Sequence, residues 1–236
     1  MSESFQLYLD SKDAVFNNNE YQFYLPSLEV TDGFYLYFSV VNVSIPYSFY
    51  NINSQNNYFY YIVNEIEYNI IIEVGNYNIN QLVTELKKQM VNFNIIYNSI
   101  TNKIKFTNTL YDFRFNISKL LNLLGFTNNL TSYDKSIYST NCINLNYIRC
   151  INLVSNICTY NISKSLRNNR SILASVQVNT APFSIIQYTN NSYRSNLFKN
   201  RLDYIMVRLV DNDENIINLN GLNFNITIQL DIEAFR

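Results

Sequence analysis

Val43-Ser44-Ile45-Pro46-Tyr47-Ser48-Phe49-Tyr50-Asn51-Ile52-Asn53-Ser54-Gln55-Asn56-Asn57 is the stretch on which the reading of this chain turns. Before it runs a dense β-forming series, Phe34-Tyr35-Leu36-Tyr37-Phe38-Ser39-Val40-Val41-Asn42-Val43-Ser44-Ile45. Pro46 ends that series because proline has no N–H to give a ladder. A polar turn region of Asn, Ser and Gln follows, and then a second aromatic run, Tyr58-Phe59-Tyr60-Tyr61-Ile62-Val63, which can pair back as a strand. The pattern is sheet, loop, sheet.

Short strands are expected on either side of this region. Phe5 to Leu9 alternates, and Tyr21 to Leu25 stops at Pro26. Ile66 to Val74 is closed by Gly75. Asn78 and Gln81 then read as the N-cap and N3 residues of a capping box. Ile79, Leu82, Val83, Leu86 and Met90 fall at helical spacing, which predicts an amphipathic helix over about 79–91. Its apolar stripe is expected to pack on a sheet.

Phe93 to Tyr97 and Lys103 to Thr107 predict a hairpin around Asn98-Ser99-Ile100-Thr101-Asn102. Tyr111 to Asn116 alternates. Ser118 caps a short predicted helix, Lys119 to Leu124, which Gly125 ends in the left-handed conformation. Residues 127–140 read as a loop, and strand signals resume at Ile143 to Tyr147 and Arg149 to Thr159. The segment Asn161 to Arg170, with Lys164, Arg167 and Arg170, reads as a solvated polar loop. Further strands are expected over Ser171 to Val178, Phe183 to Tyr188, Asp203 to Val210 and Leu222 to Ile232. Asp211-Asn212-Asp213-Glu214-Asn215 makes a polar tip between the last two. Its three carboxylates suggest calcium, but it lacks the glycine and terminal Glu of an EF-hand loop.

Close-spaced strands, one amphipathic helix and one short helix in the connections, with no repeat and no linker, predict an all-β fold. The expected architecture is a single jelly-roll β-sandwich, with residues 1–236 as one domain and no inserted domain. Composition narrows the function. The chain has 236 residues, 17 basic and 18 acidic side chains and a formal net charge of -1, which gives no electrostatic footprint for nucleic acid. Charged residues are 15% of the chain, while Tyr and Phe number 21 and 16, so many β-prone windows lack a gatekeeper charge and association is expected. An AT-rich coding sequence that inflates Asn, Ile, Tyr and Lys is the competing explanation.

The chain has no His, which removes Ser-His and Cys-His nucleophile activation and His-based metal sites. There is no Gly-rich phosphate loop and no GxSxG, so no enzymatic activity, cofactor or metal is expected. Cys142, Cys150 and Cys158 recur every eight residues without a CxxC and are expected to be buried free thiols. The N-terminal Met1-Ser2-Glu3-Ser4-Phe5 has neither a basic start nor an apolar core, so synthesis in the cytoplasm is expected. No window approaches the roughly 18 consecutive apolar residues of a transmembrane helix.

Several stretches, in order, resemble the penton, or minor capsid, proteins of virophages, polinton-like viruses and related double-jelly-roll viruses. They are an opening strand ending in Leu9-Asp10-Ser11, the Ile45-Pro46-Tyr47-Ser48-Phe49-Tyr50-Asn51-Ile52-Asn53 stop, and Gly75-Asn76-Tyr77-Asn78-Ile79-Asn80-Gln81-Leu82. Leu120-Leu121-Asn122-Leu123-Leu124-Gly125-Phe126, Ser171 to Val178 and Ile216 to Phe224 complete the set. The resemblance implies a structural virion protein that forms homopentamers at the five-fold vertices of an icosahedral capsid and abuts the major capsid protein. No specific nucleic-acid partner is implied. Tyr47, Phe49 and Tyr50, which follow a strand end at a loop, are the candidate subunit-interface residues; the competing role for them is to pin the loop to their own core. A receptor-binding or fibre-head β-sandwich module is the alternative function, and it would display a concave patch of Tyr with Asn or Asp.

Overall fold

Residues 34–46 form one continuous strand of 13 residues in the computed structural model of the chain, with Pro46 as its last member. The structure describes residues 2–157, 172–190, 194–197 and 201–234. The strands before Phe49 are β1 (Ser2–Asp10), β2 (Val15–Asn17), β3 (Glu20–Glu29) and β4 (Phe34–Pro46). Next come β5 (Tyr58–Val63), β6 (Ile66–Ile71), helix α1 (Ile79–Gln89), β7 (Phe93–Asn98), β8 (Lys103–Asn108), β9 (Phe113–Asn116), helix α2 (Lys119–Leu123), β10 (Leu130–Thr131) and β11 (Ser136–Tyr138). The chain closes with β12 (Cys150–Ser155), β13 (Ile172–Gln177), β14 (Ile185–Thr189), β15 (Ser195–Leu197), β16 (Arg201–Val210) and β17 (Asn225–Ala234). The fold is all-β, with two α-helices among the described residues, as the sequence predicts. Among the described residues no helix is long and apolar enough to cross a membrane.

The chain divides into two compact units, Met1–Phe49 with Ile148–Arg236, and Tyr50–Tyr147. In the first unit one sheet has the order β1-β17-β4-β14, with β15 also on β4, and the other has the order β13-β12-β16-β3-β2. Each sheet buries one face, as in a β-sandwich. Leu36, Phe38, Val40, Val43, Ile45, Ile226, Ile228 and Leu230 are buried on the first; Ile151, Leu153, Val176, Ile205, Val207 and Leu209 are buried on the second.

If the short β2 and β15 are set aside, each strand of this unit has one partner given by a single rule, and the pairings β17–β4 and β12–β16 join the resulting pairs into the two sheets. The first strand pairs with the last (β1 with β17), the second with the second to last (β3 with β16), the third with β14, and β12 with β13, all antiparallel.

Burial along β4 alternates through Leu36, Phe38 and Val40 and then resumes one residue out of phase at Val43 and Ile45. The register explains the slip. Thr227 faces Asn42 and Ile228 faces Val40, so Val41 is the extra residue of a β-bulge, which turns Asn42 outward and returns Val43 to the core. A second irregularity corrects an expectation: β3 does not stop at Pro26 but runs on to Glu29. Pro26 lies where the register with β16 shifts between Leu202 and Tyr204, a place where the missing N–H breaks no regular ladder.

Tyr58–Val63 is a strand, but it does not pair back onto β4. Both sides of β4 are already taken, by β17 and by β14 with β15, so β5 pairs with β6 and β9 instead. The second unit therefore has its own sheets, β10-β9-β5-β6 and β11-β8-β7, and its own core. Phe115, fully buried, is the centre of that core; its ring lies 5.7 Å from Phe59, 5.1 Å from Phe106 and 5.5 Å from Phe126, edge to face in each case.

Helix α1 begins as its caps require. The Asn78 Oδ1 accepts from the Gln81 N–H at 3.0 Å, and the Gln81 Oε1 accepts from the Asn78 N–H at 2.9 Å. Leu82, Val83 and Leu86 are buried beneath it. At its far end the Gln89 side chain donates to the Ile71 carbonyl at 2.7 Å and accepts from the Ile71 N–H at 3.2 Å, extending the β6 edge as a neighbouring strand would. Residues 143–147 form no strand, and the expected loop over 127–140 holds two short ones, β10 and β11. Asp211 is buried, and its carboxylate accepts from the N–H groups of Asp213 and Asn215 at 2.8 and 2.9 Å and from the Asn215 amide at 2.8 Å. It holds a turn, and Val210 bridges to Ile216 across it.

Cys142 is exposed, not buried as expected, because it lies outside any strand; Cys150 is half-buried. Cys158 and the segment Asn161 to Arg170, with the end of the predicted strand before it, lie outside the described residues.

Gly125 ends α2 at φ +89°, as predicted, and a Cβ there would sit 2.2 Å from the Asn141 carbonyl oxygen. Strain and clash act together. Gly125→Ala is therefore expected to destabilise the protein by more than about 2 kcal/mol. Asn78→Ala, which removes only the cap, should cost about 1 kcal/mol. Urea denaturation of the two variants checks both, and equal losses would refute the argument.

Candidate functional site

In the first unit, the segment after Pro46 is stitched to two loops. The Tyr47 N–H donates to the Ser184 carbonyl at 2.8 Å and its own carbonyl accepts from the Phe183 N–H at 2.9 Å. The Ser48 Oγ donates to the Leu219 carbonyl at 2.6 Å, and the Asn220 amide donates back to the Ser48 carbonyl at 2.6 Å. Tyr47 and Phe49 stack at 4.3 Å between ring centroids, and both are buried. Burial also pushes the Tyr47 phenol above its ordinary pKa, so it stays a neutral donor. Two of the three sequence-predicted interface residues are thus buried within the chain. Tyr50 is half-buried.

What this arrangement presents to solvent is Phe183, a residue the sequence reading did not single out. Its side chain is 83% exposed and its backbone φ is +69°. The Ser184 N–H donates to the Ala181 carbonyl at 3.3 Å, closing a four-residue turn with Pro182 second and Phe183 third. Positive φ at the third position is the signature of a type II turn, which calls for Gly or Asn there. A bulky aromatic in that position costs about 1–2 kcal/mol, and its exposure shows that the ring recovers little of this within its own chain.

Nearby on the same sheet edge, Ile185, the first residue of β14, is 58% exposed. The far edge of that sheet is β1, whose Tyr8 is 77% exposed. One sheet therefore carries an exposed aromatic or aliphatic side chain on each of two different edge strands. Among the described residues no group of three or more His, Cys, Asp or Glu side chains could hold a metal ion.

In the second unit, two of the stretches that resemble penton proteins meet. The Asn51 carboxamide brackets the Tyr77 backbone, accepting from its N–H at 2.9 Å and donating to its carbonyl at 2.8 Å. Ile52 and Gly75 form an antiparallel bridge, and the buried Asn56 closes the turn by donating to the Asn51 carbonyl at 3.0 Å. The Asn-Ile-Asn and Gly-Asn-Tyr-Asn segments are joined into one polar clasp at the start of α1.

No protein-family model matches the chain, and no curated protein matches it. Among solved structures it is similar to the selenomethionine-labelled mavirus penton protein, at 12% identity and a TM-score of 0.48, over 99% of this chain and 100% of that one. It is also similar to a chain of the Sputnik virophage structure determined by cryo-electron microscopy, at 15% identity and a TM-score of 0.45, over 98% of each.

If Phe183 is held in a strained turn for a purpose outside its own unit, relieving the strain should help the isolated chain. Phe183→Gly is expected to raise the unfolding free energy of the dissociated protein by up to about 1 kcal/mol, the relief of positive φ exceeding the entropy penalty of glycine. Urea denaturation at low protein concentration measures this. A loss of stability would mean that the ring packs on its own chain.

Proposed function

We propose that this chain is a structural virion protein, a penton or minor capsid protein whose residues 1–236 act as one subunit and form homopentamers at the five-fold vertices of an icosahedral capsid, against the major capsid protein. The observation that carries this reading is the pairing rule of the first unit. Strands that pair first with last, second with second to last, and so on to the middle are one long antiparallel hairpin wound over two sheets, which supports reading this unit as a single jelly roll. Two of the stretches that resemble penton proteins lie at the end of β4 and at the start of α1.

A ring of identical subunits needs two different patches, since each copy gives one face to its left neighbour and another to its right. The edge bearing Phe183 and Ile185 and the edge bearing Tyr8 are such a pair, and both are aromatic or aliphatic, as the centre of an interface requires. In this role Tyr47 and Phe49 act by shaping the loop that carries Phe183, and Tyr50 offers its remaining surface. The work is geometric and not catalytic, and it places the protein in the virion.

Native mass spectrometry, with imaging of the particles, tests this. The expected species has five times the mass of the 27.8 kDa chain and appears as a five-fold ring. Phe183→Asp combined with Ile185→Asp should reduce it to a folded monomer, because every interface of the ring would then bury two carboxylates. A trimer would favour a fibre-head module, and a monomer that stays unassembled when mixed with the major capsid protein would overturn the proposal.

A further inference from the structure

The second unit contains an open groove of about 390 Å³, within the range of small-ligand sites. Tyr68 and Tyr111 stand at its rim, 43% and 50% exposed, and Tyr61 and Phe93 form its floor. The floor is rigid. Tyr61 stacks on Tyr68 at 5.1 Å with 13° between the rings, and Phe93 meets Tyr61 edge to face at 5.3 Å.

The polar groups of the groove are amides and phenols. Asn64 lies at φ +48° in the tight turn between β5 and β6, and Asn92 at φ +65° just after α1, with its carbonyl accepting from the Thr109 N–H at 2.9 Å. Their backbones are held, and neither side-chain carboxamide makes a hydrogen bond to another described residue. Asn108 is buried, and its Oδ1 accepts from the N–H groups of Leu110 and Tyr111 at 2.8 and 3.0 Å, which fixes the loop that carries Tyr111. The Tyr61 phenol, raised by burial and by Tyr68, stays protonated and can donate. No carboxylate, ammonium or guanidinium lines the groove.

We infer that this groove binds a neutral saccharide. A pyranose ring presents C–H faces that lie against aromatic rings, and its hydroxyls both donate and accept, which suits carboxamides and phenols better than groups of one polarity. The uncharged lining gives no counter-ion to a phosphate, a carboxylate or an amine, and no cation for a nucleic-acid backbone. A purely apolar ligand would cover the exposed Asn64 and Asn92 amides and strip their water without replacing it. The rigid aromatic floor and held turns mean that little ordering is needed on binding.

An array of neutral and acidic oligosaccharides, probed with the full chain in its native assembly, tests the inference. Retention on neutral glycans is expected, unchanged when NaCl is raised from about 0.05 to about 0.5 M. With the best neutral glycan, calorimetric titration of Tyr111→Ala and of Asn92→Ala should show affinity lowered at least about tenfold. Tyr60→Ala, on the opposite face of β5, should bind as the wild type does. Thermal melts of the three variants establish that they are folded. Absence of any retained neutral glycan, retention lost at the higher salt, or wild-type affinity in both groove variants would overturn it. The readout does not depend on oligomer mass, so failure here leaves the vertex proposal standing, and the converse holds.

Discussion

The antiparallel pairing of β4 is the constraint on which the rest of the structure depends. This strand is central to its sheet, with β17 along one side and β14 and β15 along the other, and neither edge is left for a further strand. A chain that leaves such a strand cannot fold back on it as a hairpin. The residues after Phe49 must satisfy their backbone groups elsewhere, and they do so by building two sheets and a phenylalanine-centred core of their own. The same saturation forces β14 to the edge of the sheet, and it is there that Phe183 and Ile185 come to the surface.

A chain with few charges must satisfy its turns and ends in another way, and here asparagine does it. Asn51 brackets a backbone amide and carbonyl as a neighbouring strand would, and Asn78 caps a helix. Asn98 and Asn108 each accept two N–H groups in tight turns. Asn64, Asn92, Asn102 and Asn220 adopt the positive φ that other non-glycine residues resist, which lets a chain with only four glycines make many reversals. A nucleotide bias would account for how much asparagine there is, but not for where these particular side chains point.

The parts of the fold that were legible in the sequence are those governed by local chemistry. Helix α1 follows from Asn78, Gln81 and its apolar spacing, and the end of α2 from Gly125. Most strands follow from alternation. What was not legible depends on partners distant in sequence. That Tyr58–Val63 pairs with β6 and β9 is decided by the occupancy of β4, and that β3 passes through Pro26 is decided by a register shift against β16. No change of composition marks the passage from Phe49 to Tyr50 or from Tyr147 to Ile148, so the division into two units left no trace. Tyr47 and Phe49 were legible as large aromatics at a strand end, but not the direction in which they face. Phe183 had a readable signal, since Ala181-Pro182-Phe183-Ser184 places proline where a type II turn wants it and a phenylalanine where it wants glycine.

Edge strands of proteins that remain monomeric usually carry a defence: a lysine, a proline or a bulge. The strand β14, Ile185-Ile186-Gln187-Tyr188-Thr189, has none of these, and its regular register with β4 runs from Pro46 to Asn42 without a break. Immediately before it a phenylalanine is held exposed at a backbone angle that costs energy. An undefended edge alone is a hazard, and a strained aromatic alone is a local oddity. Together, on one edge of one sheet, they are the features on which the proposed self-association rests, and the net charge of -1 offers no long-range repulsion against a second copy.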